Sequence, residues 1–332
     1  MFNKMPRLGG LTLLAAALAV MAFGGNATAQ DWPTRPLTMI IPFAAGGPSD
    51  VTGRILAQRM SELLGQTVIV ENIGGAGGTI GSSRVARAAP DGYQFVLGNS
   101  GTHVWSQSLY KKPPFNTMTD FAPVSLVTAG ARLLLVRKDF PAKTLPEFIA
   151  YVKANQTTLK FGSAGAGSAS HIGCILLNSV IGVDVTHIPY RGAGPTMQDL
   201  VAGRIDYMCD AISTGLPQVQ GGTIRGIANL AGSRAAVLPD LPTAQEQGLT
   251  GFDLTAWQGL FLPKGTPDAI VKRLAKVVSD TLDTPYVRQR VEGVGDEVIA
   301  PERRGPDYLA KTVASEIEKW SGPIKASGVS VE

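Results

Sequence analysis

The sequence is poor in the residues from which metal, redox and nucleophile chemistry is usually built. Among 332 residues there are two cysteines and three histidines. No Cys-x-x-Cys occurs, and His103, His171 and His187 stand too far apart to form a local metal motif, so neither a metal nor a cofactor is expected. Charge is also scarce, at 17% of residues, with 30 Lys and Arg set against 26 Asp and Glu. The longest basic runs are pairs such as Lys111-Lys112 and Arg303-Arg304, too short for a nucleic-acid footprint. Long apolar runs are missing as well. The single candidate, Leu11 to Phe23, is stopped by Gly24-Gly25-Asn26 short of the roughly 20 residues a membrane span requires.

That run has another use. Lys4 and Arg7 precede it, and Ala27-Thr28-Ala29 follows it before Gln30, the three-part layout of a cleavable secretory signal. Cleavage is expected after Ala29, residues 1–29 being the signal and the mature chain periplasmic. No cysteine follows the cut, so a lipid anchor is not supported. Loss of Lys4 and Arg7 lowers the formal charge from +4 to +2, close to neutral. An oxidising compartment lets disulfides persist. Cys174 and Cys209, on a helix and a strand end of one lobe, are expected to form a bridge, two buried free thiols being the alternative.

Short β-like runs alternate with helical patterns, which predicts an α/β fold with mostly parallel sheets flanked by helices. Leu37 to Pro42 reads as a buried strand; Val51, Ile55, Leu56, Met60 and Leu63 then recur at helical spacing as far as Gly65. The stretches from Phe121 to Val136 and from Phe252 to Pro263 are long and extended with no helix between their ends. They read as two crossings between lobes. Residues 30–128 and 256–332 are therefore assigned to a discontinuous lobe I and 129–255 to lobe II, with a cleft between them, the usual place for a small ligand.

Each lobe opens on a glycine-rich turn from strand to helix. The first contains Phe43, Ala44, Gly46, Gly47, Ser49 and Asp50; the second contains Ser163, Ala164, Gly165, Gly167 and Ser168. The first turn of a helix has free N–H groups and about half a positive charge, so two such ends facing across a cleft suit a small carboxylate. Asn99, Ser100, Tyr190, Arg191 and Asp210, near other strand ends, and His171, in the first turn of the helix after Ser168, complete the candidate ligand contacts. Two roles stay open for Asp50, steadying the helix start or touching ligand, and two for Arg191, pairing with a carboxylate or standing in a solvated turn.

Enzyme readings find no support. Gly74 to Arg84 lacks the Gly-Lys-Ser/Thr of a phosphate loop. Neither Ser100 nor Ser163 sits in Gly-x-Ser-x-Gly. His171 has no evident nucleophile or orienting carboxylate, and no catalytic residue is nominated.

Taken together, several stretches are specific: Ile41-Pro42-Phe43 with Gly46-Gly47 and Asp50; Val70-Glu71-Asn72 with Gly75-Ala76-Gly77-Gly78; Pro90-Asp91-Gly92-Tyr93; and Gly162-Ser163 through Gly167-Ser168 with His171. His187-Ile188-Pro189-Tyr190-Arg191-Gly192, Pro239-Asp240-Leu241-Pro242-Thr243, and Trp257 and Gly259 with Pro263, Gly265, Thr266 and Pro267 continue the series. In these the chain resembles the receptors of tripartite tricarboxylate transporters, the Bug-type solute-binding proteins. The resemblance implies a two-lobed type II periplasmic-binding fold and a di- or tricarboxylate, acidic amino acid or aromatic carboxylate as ligand. It also implies the membrane components of such a transporter as partner, with no nucleic acid, and a monomeric receptor. A carboxylate sensor for a signalling partner and a hydrolase-like enzyme of the same architecture are the alternatives. Two departures touch the first lobe: Ala45 stands where the family commonly has Pro, and Ile73-Gly74 replaces a common Arg-Pro pair.

Overall fold

The structure is a computed structural model that describes residues 1–2 and 32–331. The expected signal and its cleavage point lie outside the described residues. Leu37–Ile41 (β1) is buried along nearly its whole length, as a parallel strand covered on both faces must be. It pairs in parallel with Val68–Asn72 (β2) and Gln94–Asn99 (β3). The 17-residue strand Phe121–Arg137 (β4) comes next, and a second parallel block follows it. There Lys160–Ser163 (β5) lies between Thr186–Pro189 (β6) and Tyr207–Ala211 (β7). Ile224–Asn229 (β8), Thr255–Pro263 (β9) and Asp296–Val298 (β10) complete the ten strands among the described residues.

The strand order is β2-β1-β3-β9-β4-β7-β5-β6, with β8 and β10 also on β4. β4 carries the chain from one block to the other. Its Phe121–Ala131 part pairs with β9, while Arg132–Val136 pairs with β7. The return begins where the Leu254 amide donates to Leu230 O (2.8 Å) and continues into β9. The middle of the sheet, where the two crossing strands pair with each other and with the blocks they join, is antiparallel, in keeping with the expected mostly parallel sheets joined by two crossings. Period-two alternation makes β4 a divider: Leu134 and Val136 join the large core with Phe148 and Tyr207, whereas Leu133 and Leu135 join Met208, Ile212 and Leu216 on the other face.

Helix Pro48–Leu64 has Pro48 in its first turn, Asp50 beside it, and Gly65 closing it at φ 67°, the left-handed cap glycine provides. Pro267 is the residue before helix Asp268–Leu282, and the Thr266 hydroxyl turns back to donate to Pro263 O.

Cys174 and Cys209 correct the expected disulfide. Helix Ala169–Ile181 does bring them together against β7, but both are free thiols with no exposed surface. Burial, with Cys209 beside it, pushes the Cys174 thiol well up.

Beyond β3, His103 lies wholly inside the apolar core, stacked on Phe261 at 4.1 Å and edge-on to Phe121 at 4.9 Å. Burial lowers its pKa to about 3. An unfolded imidazole takes its proton near 6.5 and this one does not, so the unfolded state binds more protons below that pH. Stability is therefore lost on acidification. Between pH 7 and 5 this group alone removes about 2 kcal/mol. Denaturant unfolding of His103→Leu should show a correspondingly smaller drop over that range than the parent protein; equal drops would mean His103 is protonated in the fold.

Candidate functional site

The loop from β1 to helix Pro48–Leu64 is held by side chains behind it. The Asp50 carboxylate accepts from the Gly46 amide, Arg54 Nε and Asn72 Nδ2, each at 3.0 Å, and Asn72 also donates to Phe43 O at 3.1 Å. Burial raises the pKa of Asp50, but these donors outweigh it and hold the group below its ordinary value. Asp50 is occupied as a brace for the loop, which favours the first of its two roles.

The β5 loop is braced in the same way. Ser168 caps the following helix by accepting from the His171 amide (3.3 Å), and Ala164 N–H donates to Ser170 Oγ (2.9 Å). Gly165 N–H donates to Ser163 Oγ (3.1 Å), and Gly167 N–H to His171 Nδ1 (3.1 Å). His171 stacks on His187 with 4.0 Å between ring centres. Burial and that neighbour lower its pKa to about 3, so it remains a neutral acceptor for the Gly167 amide.

Loops from the two blocks touch closely enough to require glycine. Gly77 has φ 62°, and a Cβ there would stand 2.1 Å from Ala166 O. The Ala44 amide donates to Arg191 O (3.1 Å), so Arg191 contributes its carbonyl while its side chain is exposed. The Tyr110 hydroxyl lies 2.9 Å from Ala76 O and 3.1 Å from Ala166 O and joins the two loops. Gly167, at φ 84°, has the Tyr110 ring 2.8 Å from where its Cβ would be.

Two small cavities of about 20 Å³ each lie under these loops and share Pro48, Ser49, Asn99 and Arg132. The loop-side cavity adds Phe43, Ala164, Ser168 and Asp210 from the expected set. The other adds Thr128, Gly130, Gln258 and Asp296. Each has room for about one water molecule, so a larger ligand enters only if the walls part. Arg132 Nη1 is 3.4 Å from Asp210 Oδ1, and the two side chains are 6% and 1% exposed. Thr214 Oγ1 donates to the other Asp210 oxygen at 2.6 Å. Burial pulls the Arg132 pKa down, opposed by Asp210 and Asp296. Burial also pushes Asp296 up to about 7.

Phe43, Ser49, Asn99, Ala164, Ser168 and Asp210 thus meet at one place. Ala44, Gly46, Gly47, Gly165 and Gly167 shape the loops around it; Ser100 is buried beside Asn99 with its hydroxyl unpartnered. Tyr190 lines neither cavity and donates to Asp199 (2.6 Å). Sequence reasoning passed over Arg132, Gln258 and Asp296. Arg132 had a signal, a lone charge at the head of Leu133-Leu134-Leu135-Val136, where a buried strand ordinarily has none.

Ser163 Oγ and His187 Nε2 are 2.7 Å apart, the spacing of a nucleophile and its base. Ser163 has no exposed surface, and burial holds His187 at about 4, too low for a base near neutrality. The pair is a packed hydrogen bond.

Residues 52–329 match the Tripartite tricarboxylate transporter family receptor. The chain belongs to this family. A curated relative, the UPF0065 protein in the TAR-I ttuE-ttuC' intergenic region of Agrobacterium vitis, is 39% identical and covers 95% of this chain and 91% of its own. Among solved structures, MatC of Rhodopseudomonas palustris with bound malate is 44% identical, with TM-score 0.87 over 88% of this chain and 100% of that one. The periplasmic binding protein BugD is 40% identical, with TM-score 0.88 over 91% and 100%. The fold is that of the periplasmic solute receptors, as the sequence resemblance implied.

The Tyr110 hydroxyl gives the loop contact a test. A hydrogen bond worth about 1 kcal/mol, once removed, raises local opening about fivefold. In Tyr110→Phe, amide exchange at residues 76–78 and 164–168 should accelerate by that factor while the rest of the sheet is unchanged. Unaltered exchange there would show that ring packing alone joins the loops.

Proposed function

We propose that this receptor captures a small carboxylate, with a dicarboxylate of malate size as the first candidate, and delivers it to the membrane components of a tripartite tricarboxylate transporter. The observation that supports this most strongly is the meeting of loops from both parallel blocks over a buried cation. Helix Pro48–Leu64 and helix Ala169–Ile181 begin at these loops, and their free amides favour an anion. Arg132 lies beneath them. The malate held by MatC, from a protein of nearly the same fold, supports the ligand class.

In this reading residues 30–128 and 256–332 form one lobe and 129–255 the other. β4 and the approach to β9 serve as the hinge, and ligand entry requires the Gly77 and Tyr110 contacts to separate. The receptor works as a monomer in the periplasm and catalyses no reaction. A thermal-shift panel of mono-, di- and tricarboxylates tests the reading, since a ligand at 100 times its Kd adds about 2.7 kcal/mol of stability. A rise with carboxylates and none with uncharged analogues is expected. No rise with any carboxylate would remove the proposal.

Export is proposed to leave Gln30 at the mature N-terminus. The intact mass of protein recovered from the periplasm should correspond to residues 30–332, and a full-length mass would refute the cleavage point.

A further inference from the structure

Tyr110, whose hydroxyl joins the two loops, is itself held by residues from the other end of the sequence. It follows the four-residue helix Ser106–Leu109, where its own amide donates to Ser106 O (3.1 Å), and residues 111–114 beyond it are exposed. The backbone groups on either side of it are both taken by one residue. Val331 N–H donates to Leu109 O (3.0 Å), and Lys111 N–H donates to Val331 O (2.9 Å), a parallel bridge centred on Tyr110.

The tail that makes this bridge, residues 327–331, is also fixed at its base. Trp320, in helix Pro306–Ala326, meets Trp105 edge-on at 5.4 Å, and Leu309, Val313 and Ile324 of that helix are buried. Gly328 then turns the chain at φ 71°, in open space. On its other side the tail borders a cavity of about 660 Å³, lined across from it by Ile175, Val183 and Thr186. The tail is thus bonded on the Tyr110 side and separated there from the second parallel block.

One hydroxyl proton serves two carbonyls. The bond within the first block, to Ala76 O, is the shorter at 2.9 Å, so the bond across to Ala166 O, at 3.1 Å, is the one that a small shift of the ring loses first. A side chain at the end of a four-residue helix has no local ladder to hold it so closely, because so short a helix has little stability of its own. The Val331 bridge supplies that restraint.

We propose that residues 327–331 are a clasp that positions Tyr110 for its bond across the cleft, so that the C-terminal tail sets how readily the two loops part and how fast a bound ligand leaves. The second half rests on the receptor reading; the first does not.

Hydrogen exchange of the protein without ligand tests the first half. Val331→Pro removes the donor to Leu109 O and keeps the carbonyl. Gly328→Val misdirects the tail from a position with open space around it, at a φ that a β-branched residue resists. In both variants, with circular dichroism to confirm folding, amides at 164–168 should exchange about three to five times faster than in the parent, the loss expected of one hydrogen bond. In a Tyr110→Phe background neither substitution should add more than about 1.5-fold at 164–168, because the bond that the clasp positions is already gone. Acceleration confined to 109–111 and the tail, or full additivity with Tyr110→Phe, would overturn the clasp. With malate as the probe, dissociation should quicken by the same factor while association stays within about twofold. Unchanged malate dissociation in the variants would overturn the link to release, whereas a parent protein that binds no malate would count against the receptor reading and leave the exchange result to decide the clasp.

Discussion

A guanidinium held almost out of water in the middle of a sheet constrains everything around it. Removing one ion from water costs several kcal/mol even after relaxation, and a partner must recover most of that. Asp210 lies opposite Leu133 in the β4–β7 register, one residue from the partner of Arg132, and the resulting 3.4 Å separation is long for a charged hydrogen bond. The other Asp210 oxygen is fixed by Thr214, in the first turn of helix Ile212–Gln220. Asp296 approaches from the far side on β10, across Gly130. Three strands are thereby aimed at one point, and the small residues ahead of Arg132 on β4 are what let them converge.

That convergence explains why the scaffold was more legible in the sequence than the floor of the site. Strand-to-helix turns carry local signatures. Pro48, Asp50 and Gly65 bracket a helix by known backbone preferences, and the helix from Pro48 to Leu64 is where they place it. Crossing strands show as extended runs too long for a βα unit, and Phe121–Arg137 and Thr255–Pro263 have that character. Helix Leu145–Asn155 was passed over although Thr144 and Glu147 form a reciprocal capping box with Pro146 in the first turn, a signature readable from spacing alone. Asp296 had no such signal. It sits in a three-residue strand whose pairing with β4 spans some 165 positions of sequence, and periodicity does not reach that far.

The side chains expected at the site divide along the same line. Asn99 ends β3, Ala164 follows β5, and Ser49 and Ser168 stand at the helix starts that come next, so the strand-to-helix geometry delivers all four to the cavity. Asp50 and His171 occupy equivalent positions yet turn back onto their own loops, because a helix start with free amides accepts an internal acceptor as readily as an external one. The glycines then acquire a second meaning. Gly77 and Gly165 are needed less for flexibility than to let two backbones meet, since a Cβ at either position would strike the opposite loop.

Closure of such loops over a ligand changes what determines selectivity. In an open cleft, water completes any group that the ligand leaves unmatched, and a poor match loses little. Once Tyr110 and Gly77 seal the contact, the remaining space admits about one water per cavity, and whatever the ligand does not satisfy stays unsatisfied. A site with committed buried acceptors then rejects an analogue lacking the donor far more strongly than an apolar pocket rejects one lacking a methylene. Because Asp50, Ser170, Ser163 and His171 already accept from the Gly46, Ala164, Gly165 and Gly167 amides, discrimination among anions would fall to the side chains beneath. Arg132, Gln258 and Asp296, which line the hinge-side cavity, come from β4, β9 and β10.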